Sequence, residues 1–243
     1  MANSSGSSHR CPRPPLRRVL AAVGLGLALG ADATAAMPEY LHEALGRFSA
    51  EVPPGWAYTQ TTVRGVESTT ERFDPSRPPA GQWTLVQHNQ QPPTAEELEQ
   101  YLKFKASSAP PLVQAPFQKN DIDPGSFALD REDGEWAVFT CAFRAESSSS
   151  DKMLGHLRLV LTVHKQPAWV EKFSLELRAP YSPVLGVKMD ELIVHMSFAA
   201  PGADRPSLPV QTTSLFSGRI FFVPTAEDLR VSYTRFSRTE AAK

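Results

Sequence analysis

The decapeptide HLRLVLTVHK, His156 to Lys165, constrains the fold more than any other stretch of this chain. Leu157, Leu159, Leu161 and Val163 share one side of an extended strand. Arg158, Thr162 and His164 share the other, and only Val160 breaks the alternation. A strand with one apolar side belongs to a sheet that covers a core on that side, the habit of antiparallel sheets. Comparable runs occupy Arg47 to Val52, Trp56 to Val63, Glu67 to Phe73, Gln82 to His88 and Glu135 to Ala145. Asp133-Gly134 marks a hairpin turn, and AWVEKFSLELRAP continues the meander beyond Gln166-Pro167.

Helical periodicity interrupts these runs three times. MPEYLHEALGRF predicts a short helix ending near Gly46. PPTAEELEQYLKFKAS predicts a longer one, with Thr94 as N-cap and Glu97 three residues on closing a capping box. Its stripe of Leu98, Tyr101, Leu102 and Lys105 is expected to lie on the sheet. In SPVLGVKMDELIVHMSF, Leu185, Met189, Leu192, Ile193 and Met196 stand at helical spacing after Ser182-Pro183, which predicts a closing helix. Strands, helix, strands, helix, with short turns inside each run, predict an α+β domain: an antiparallel sheet layered with helices. Beyond it, APGADRPSLPVQ reads as a linker. SLFSGRIFFVP and DLRVSYTRFS read as a hairpin that docks on the domain or pairs with a partner, its RIFFV run expected to be covered.

The N-terminus carries an address. RCPRPPLRR (residues 10–18), the uncharged run from Val19 to Gly30, and the small residues Ala33, Ala35 and Ala36 make a secretory signal peptide over residues 1–36. The apolar run is shorter than the ~20 residues a spanning helix needs. Cleavage is expected after Ala35 or Ala36, leaving no transmembrane segment and a periplasmic or secreted protein. The expected organisation is residues 1–36 signal peptide, 37–200 α+β domain, and 201–243 C-terminal extension. Taking the segment's four arginines and one acid from 25 basic and 26 acidic residues leaves 21 and 25, a net charge of −4. Nucleic acid and anionic membranes attract basic surfaces, so this balance argues against either as a partner through net charge.

No residue set announces chemistry. Cys11 departs with the signal segment and Cys141 stands alone, so no internal disulfide is expected. Cys141 shares a strand side with Phe139 and Phe143 and reads as a buried thiol. His42, His88, His156, His164 and His195 match no metal spacing, although His156 and His164 could share one strand face with His88 on a neighbour. Glu191 and His195 stand four apart on the expected last helix, within reach of a hydrogen bond. Asp121 and Asp123, in DIDPG, precede a turn and lack the opposed geometry of a glycosidase pair. The serine-nucleophile, HExxH and phosphate-loop motifs are missing. Neither catalytic residues, metal nor cofactor is therefore expected.

Phe48, Val52, Pro54, Gly55 and Trp56 at the front, and Leu192, Ile193, Ser197 and Phe198 at the back, bracket the element order over about residues 45–199. In these features the chain resembles the PsbP-like superfamily, which includes DcrB proteins and Eag-type chaperones. The resemblance implies an α/β/α sandwich around an antiparallel sheet and a role in binding other proteins. Within it, Trp56 reads as a core-edge anchor behind a turn. The expected function is that of an exported, non-catalytic binding or accessory protein with a protein partner. The alternatives are a carrier of a small apolar ligand in a sheet–helix cleft and, third, an unrecognised hydrolase.

Overall fold

A computed structural model describes residues 37–107, 117–144 and 153–239. The expected signal segment, residues 1–36, lies outside the described residues, as do most of the proline-rich connection and the serine loop at 147–150. Among the described residues there are two α-helices, α1 (Glu39–Arg47) and α2 (Ala95–Ser107). Ten strands follow in chain order: β1 (Trp56–Arg64), β2 (Glu67–Phe73), β3 (Trp83–His88), β4 (Ala128–Glu132), β5 (Trp136–Cys141), β6 (Leu157–Lys165), β7 (Ala168–Leu177), β8 (Val187–Ala199), β9 (Leu208–Ile220) and β10 (Val223–Arg238).

All ten join one sheet in the order β3-β2-β1-β10-β9-β8-β7-β6-β5-β4, with every neighbour antiparallel. From β4 the chain steps strand by strand across the sheet until β10 meets β1. The segment carrying α2 spans from one edge strand, β3, to the other, β4. The hairpin of β9 and β10 lies inside the sheet, between β8 and β1.

This is a mainly β architecture, and it corrects the α+β, α/β/α expectation. The predicted closing helix is β8. Read with period two, Leu192, Val194, Met196 and Phe198 all face the core, while Ile193, His195 and Ser197 face away. The helical spacing arose because a bulge between Met189 and Glu191 shifts the strand's phase, putting Met189 out of step with the rest. β-branched Val187, Ile193 and Val194 also favour extended backbone.

The β6 alternation determines the main core. Leu157, Leu159, Leu161 and Val163 are at most 1% exposed. They meet Phe139 and Cys141 of β5 and Phe173 and Leu175 of β7 under Leu41, Ala44 and Leu45 of α1. Phe48, just past α1, sets its ring edge-on to Phe173 and Phe198 at 6.1 and 5.5 Å, an arrangement that adds to area burial. A second cluster forms on the same face of the sheet at its other end. There Tyr58, Val231 and Tyr233 are buried with Phe73 and Trp83 against them.

The VPPGW segment is a turn into the sheet. Gly55 adopts φ +82°, a left-handed conformation that suits glycine. Its carbonyl accepts hydrogen bonds from the Thr239 amide (2.8 Å) and hydroxyl (3.0 Å), tying the start of β1 to the end of β10. Trp56 itself is half-buried at the start of β1.

Candidate functional site

Most of the candidate residues have partners of their own, and the candidates do not converge. Cys141 is buried, with its thiol directed at the Leu159 carbonyl (3.7 Å); burial raises its pKa to about 12. His42 is exposed on α1. His88 bonds Glu97 at the start of α2. His156 falls in a single turn of 3-10 helix before β6 and stacks on Tyr181 at 3.7 Å. His164 contacts the Pro167 carbonyl (3.2 Å) and Glu135 (3.1 Å). His195 bonds Ser174. Among the described residues no three His, Cys, Asp or Glu side chains gather as a metal site would require. Glu191 and His195 do not pair as expected, because four residues of strand separate them by roughly 13 Å. Asp121 is buried and caps its own turn, accepting from the Gln118 amide at 2.7 Å, while Asp123 accepts from the Gly125 amide at 2.9 Å.

Three features of the structure depart from the sequence reading. The first is an ionic and aromatic cluster beneath α2. Glu71 of β2, only 8% exposed, accepts from the Tyr101 hydroxyl (2.7 Å) and the Lys105 ammonium (2.7 Å). Lys105 also sits 4.4 Å over the Trp83 ring, a cation–π contact. Burial, then the hydrogen bond and charge of Glu71, push the Tyr101 hydroxyl well above its ordinary pKa. Gln60, the cross-strand neighbour of Glu71, is 7% exposed, and its Oε1 has no hydrogen-bond partner among the described residues. The capping box holds the helix start: the Thr94 amide donates to Glu97 (2.7 Å) and the Glu97 amide to the Thr94 hydroxyl (3.3 Å). With the His88 hydrogen bond as the largest influence and these Thr94 bonds next, the Glu97 carboxyl is held at about 2.

The turn of α2 differs from the expected stripe. Tyr101 and Lys105 take the sheet side, while Leu98 and Leu102 remain 37% and 55% exposed. Both choices follow from Glu71, whose buried charge draws the two hydrogen-bond donors inward.

The second feature is the Ser174–His195 pair on the face of the sheet opposite α1. The Ser174 hydroxyl lies 2.6 Å from His195 Nδ1, and Ser174 is 6% exposed. Burial lowers the His195 pKa, with Lys172 lowering it further and Glu176 opposing. A nucleophile and base at this distance would also need an orienting acid and an oxyanion hole. The sheet ladder already occupies the neighbouring amides, so the pair reads as a satisfied cross-strand hydrogen bond.

The third is the free end of the β9–β10 hairpin. Ile220, Phe221, Phe222 and Val223 are 46%, 71%, 95% and 65% exposed, and nearby Val184 and Leu185 are 62% and 100% exposed. The expectation that RIFFV would be covered is thus overturned. Phe221 and Phe222 form the turn itself, the Phe222 ring almost wholly in solvent and the Phe221 ring beside Gly186.

The clefts of ligand size are open and charged: one of about 490 Å³ lies beside Glu176, Arg178, Asp190 and Glu191. An apolar cavity of about 150 Å³ lies between Ala44, Phe48, Trp169 and Pro206, short of the ~300 Å³ at which ligand pockets begin. A polar cleft of about 400 Å³ opens beside Thr140, Arg158 and Arg178, with Arg158 already paired to Glu176. Among the described residues no helix is long and apolar enough to cross a membrane.

No family model matches the chain, and no curated protein matches it. Among solved structures, an isomerase-inactive variant of GphF DH1 is 12% identical, covering 84% of this chain and 81% of that one. Its TM-score of 0.14 is well below that of a shared fold.

Proposed function

We infer that this chain is an exported, non-catalytic accessory protein of the cell envelope that works by contacting a protein partner. The observation that carries this reading is the outward side of α2. Leu98 and Leu102 stand one turn apart in solvent, on a helix anchored from beneath by the Glu71, Tyr101 and Lys105 bonds. Paired apolar side chains on a fixed helix suit a partner's groove. β3, the terminal strand beside α2, adds an edge that a partner strand could extend.

The test is in-envelope crosslinking of the tagged chain, comparing wild type with Leu98→Glu and Leu102→Glu. Both positions are exposed, so neither change should alter the melting temperature. A single partner that crosslinks to wild type and is lost in both variants supports the reading. A crosslinking pattern unchanged by both substitutions rejects it.

A further inference from the structure

We propose that the tip of the β9–β10 hairpin, with the loop holding Val184 and Leu185, inserts into the interfacial layer of an anionic lipid bilayer. Six apolar side chains lie at this end of the sheet: Val184, Leu185, Ile220, Phe221, Phe222 and Val223, all at least 46% exposed. Isolated surface apolar residues are ordinary, but a contiguous apolar end is not. Its shape selects the occupant. Phe221 and Phe222 form a two-residue turn between strands paired at Ile220 and Val223, so the end is convex. A convex apolar end has no walls to enclose a peptide or a small ligand, whereas it can enter a deformable layer of acyl chains.

The charges behind the tip fall at the depth such insertion requires. Lys188 of β8 and Arg219 of β9 are cross-strand partners and are the first charged residues behind the turn. At 3.3 Å per residue they lie roughly 8 Å behind it. Interfacial apolar faces sit about 5–10 Å deep, which would bring both cations to the lipid phosphates. One carboxylate, Asp190, pairs with both, at 2.7 Å to Lys188 and 3.8 Å to Arg219, so this collar keeps a net positive charge. The next acids, Glu191 of β8 opposite Ser217 and then Glu227 and Asp228 of β10, stand four to six residues behind the turn, roughly 13–20 Å back and clear of the lipid. The mild negative charge of the whole chain does not oppose this contact, because charges beyond about 8–10 Å are largely screened at physiological salt.

The test is flotation with vesicles of phosphatidylcholine alone and of phosphatidylcholine with phosphatidylglycerol at 3:1. It uses the full chain and the compact unit Met37–Lys243, which carries both cores. The unit is expected to float with the anionic vesicles and less with the neutral ones. Phe222→Asp and Leu185→Asp, at positions 95% and 100% exposed, should each lower the bound fraction about tenfold or more with an unchanged melting temperature. Lys188→Ala should remove the preference for the anionic vesicles and leave the weaker binding. Wild type that stays at the bottom of the gradient with both vesicles overturns the proposal, as does Phe222→Asp floating like wild type. A dimer in solution that Phe222→Asp dissociates, without flotation, assigns the tip to a second copy and equally overturns it. None of these results bears on the α2 contact, which the Leu98 and Leu102 variants test separately.

Discussion

Replacing Glu71 with alanine should cost about 3 kcal/mol, because it strands two donors beneath α2. The Glu71 carboxylate accepts from Tyr101 and Lys105, both at 2.7 Å. Its side chain is 11% exposed and that of Lys105 is 25% exposed, so the pair is largely out of water. Exposed pairs contribute about 0–1 kcal/mol, whereas deleting one member of a buried pair costs roughly 3–5 kcal/mol. Lys105 retains a route to solvent, which places the loss at the low end. Glu71→Gln keeps an acceptor for Tyr101 and removes only the charge, at about 1–2 kcal/mol, and Tyr101→Phe should cost about 1.5 kcal/mol. The assay is urea unfolding followed by tryptophan fluorescence and by far-ultraviolet circular dichroism. Trp83 lies directly under Lys105, so in a background with Trp56, Trp136 and Trp169 replaced by phenylalanine the remaining emission reports on the α2 seam. In Glu71→Ala the fluorescence transition should precede the circular dichroism transition, since α2 detaches before the sheet melts. Coincident transitions with a loss below about 0.5 kcal/mol would refute the claim that this cluster fastens the helix.

The remaining predictions concern backbone fit and titration. A Cβ on Gly218 would meet the Lys188 carbonyl oxygen at 2.2 Å, so Gly218→Ala must part β8 from β9. Thermal melts should show a loss of about 2 kcal/mol or more. Cys141 should resist iodoacetamide at pH 8 in the folded protein and react only after denaturation, because burial raises its pKa to about 12. Its unfolded thiol titrates near the ordinary value of 9.0. The stability it contributes is therefore fully present below that value and is lost as pH rises toward 12, by about 1.4 kcal/mol per pH unit. Cys141→Ala should flatten that limb of the stability–pH curve. Glu97 runs in the opposite sense. Its folded pKa of about 2 lies below the ordinary 4.5, so its contribution is present above 4.5 and lost as pH falls toward 2. Hydrogen exchange at the first turn of α2 should accelerate over that window, and less so in Thr94→Ala.

Legibility in the sequence followed the range of the interaction. The β6 alternation, the Asp133-Gly134 turn and the Thr94–Glu97 capping box involve neighbours within a few residues, and each forms as read. β8 was misread because its bulge lets one apolar set satisfy both periods, and only pairing with β7 and β9 selects the strand. The position of the β9–β10 hairpin between β8 and β1 depends on pairings such as Val63 with Arg230, too far apart in sequence for any local pattern to register. The α2 cluster was obscured differently. ESTTERF holds one apolar residue, Phe73 on the side of Glu71, too little to mark Glu71 as buried and Arg72 as exposed. The Ser174–His195 contact likewise joins two strands through register alone.

The hairpin tip shows what local reading misses at a turn, and it permits a test in which stability and binding move apart. Two-residue hairpin turns are ordinarily announced by Asn or Gly, residues that accept positive φ. Here the position is held by Phe221 at φ +54°, in the left-handed region that costs a bulky residue about 1–2 kcal/mol. At 71% exposure the ring recovers little by burial, although it lies against Gly186. Phe221→Asn should therefore stabilise the protein by about 0.5–1 kcal/mol, since Asn tolerates this backbone. For a chain of this size that raises the melting temperature by roughly 1–4 °C. The same change removes one of the two rings from the tip, so flotation with anionic vesicles should weaken several-fold. Strain retained where the strained residue serves binding is the pattern of a functional site. A variant that melts lower than wild type would show that the Gly186 contact outweighs the backbone cost. One that melts higher and still floats like wild type would locate the reason for Phe221 somewhere other than the lipid surface.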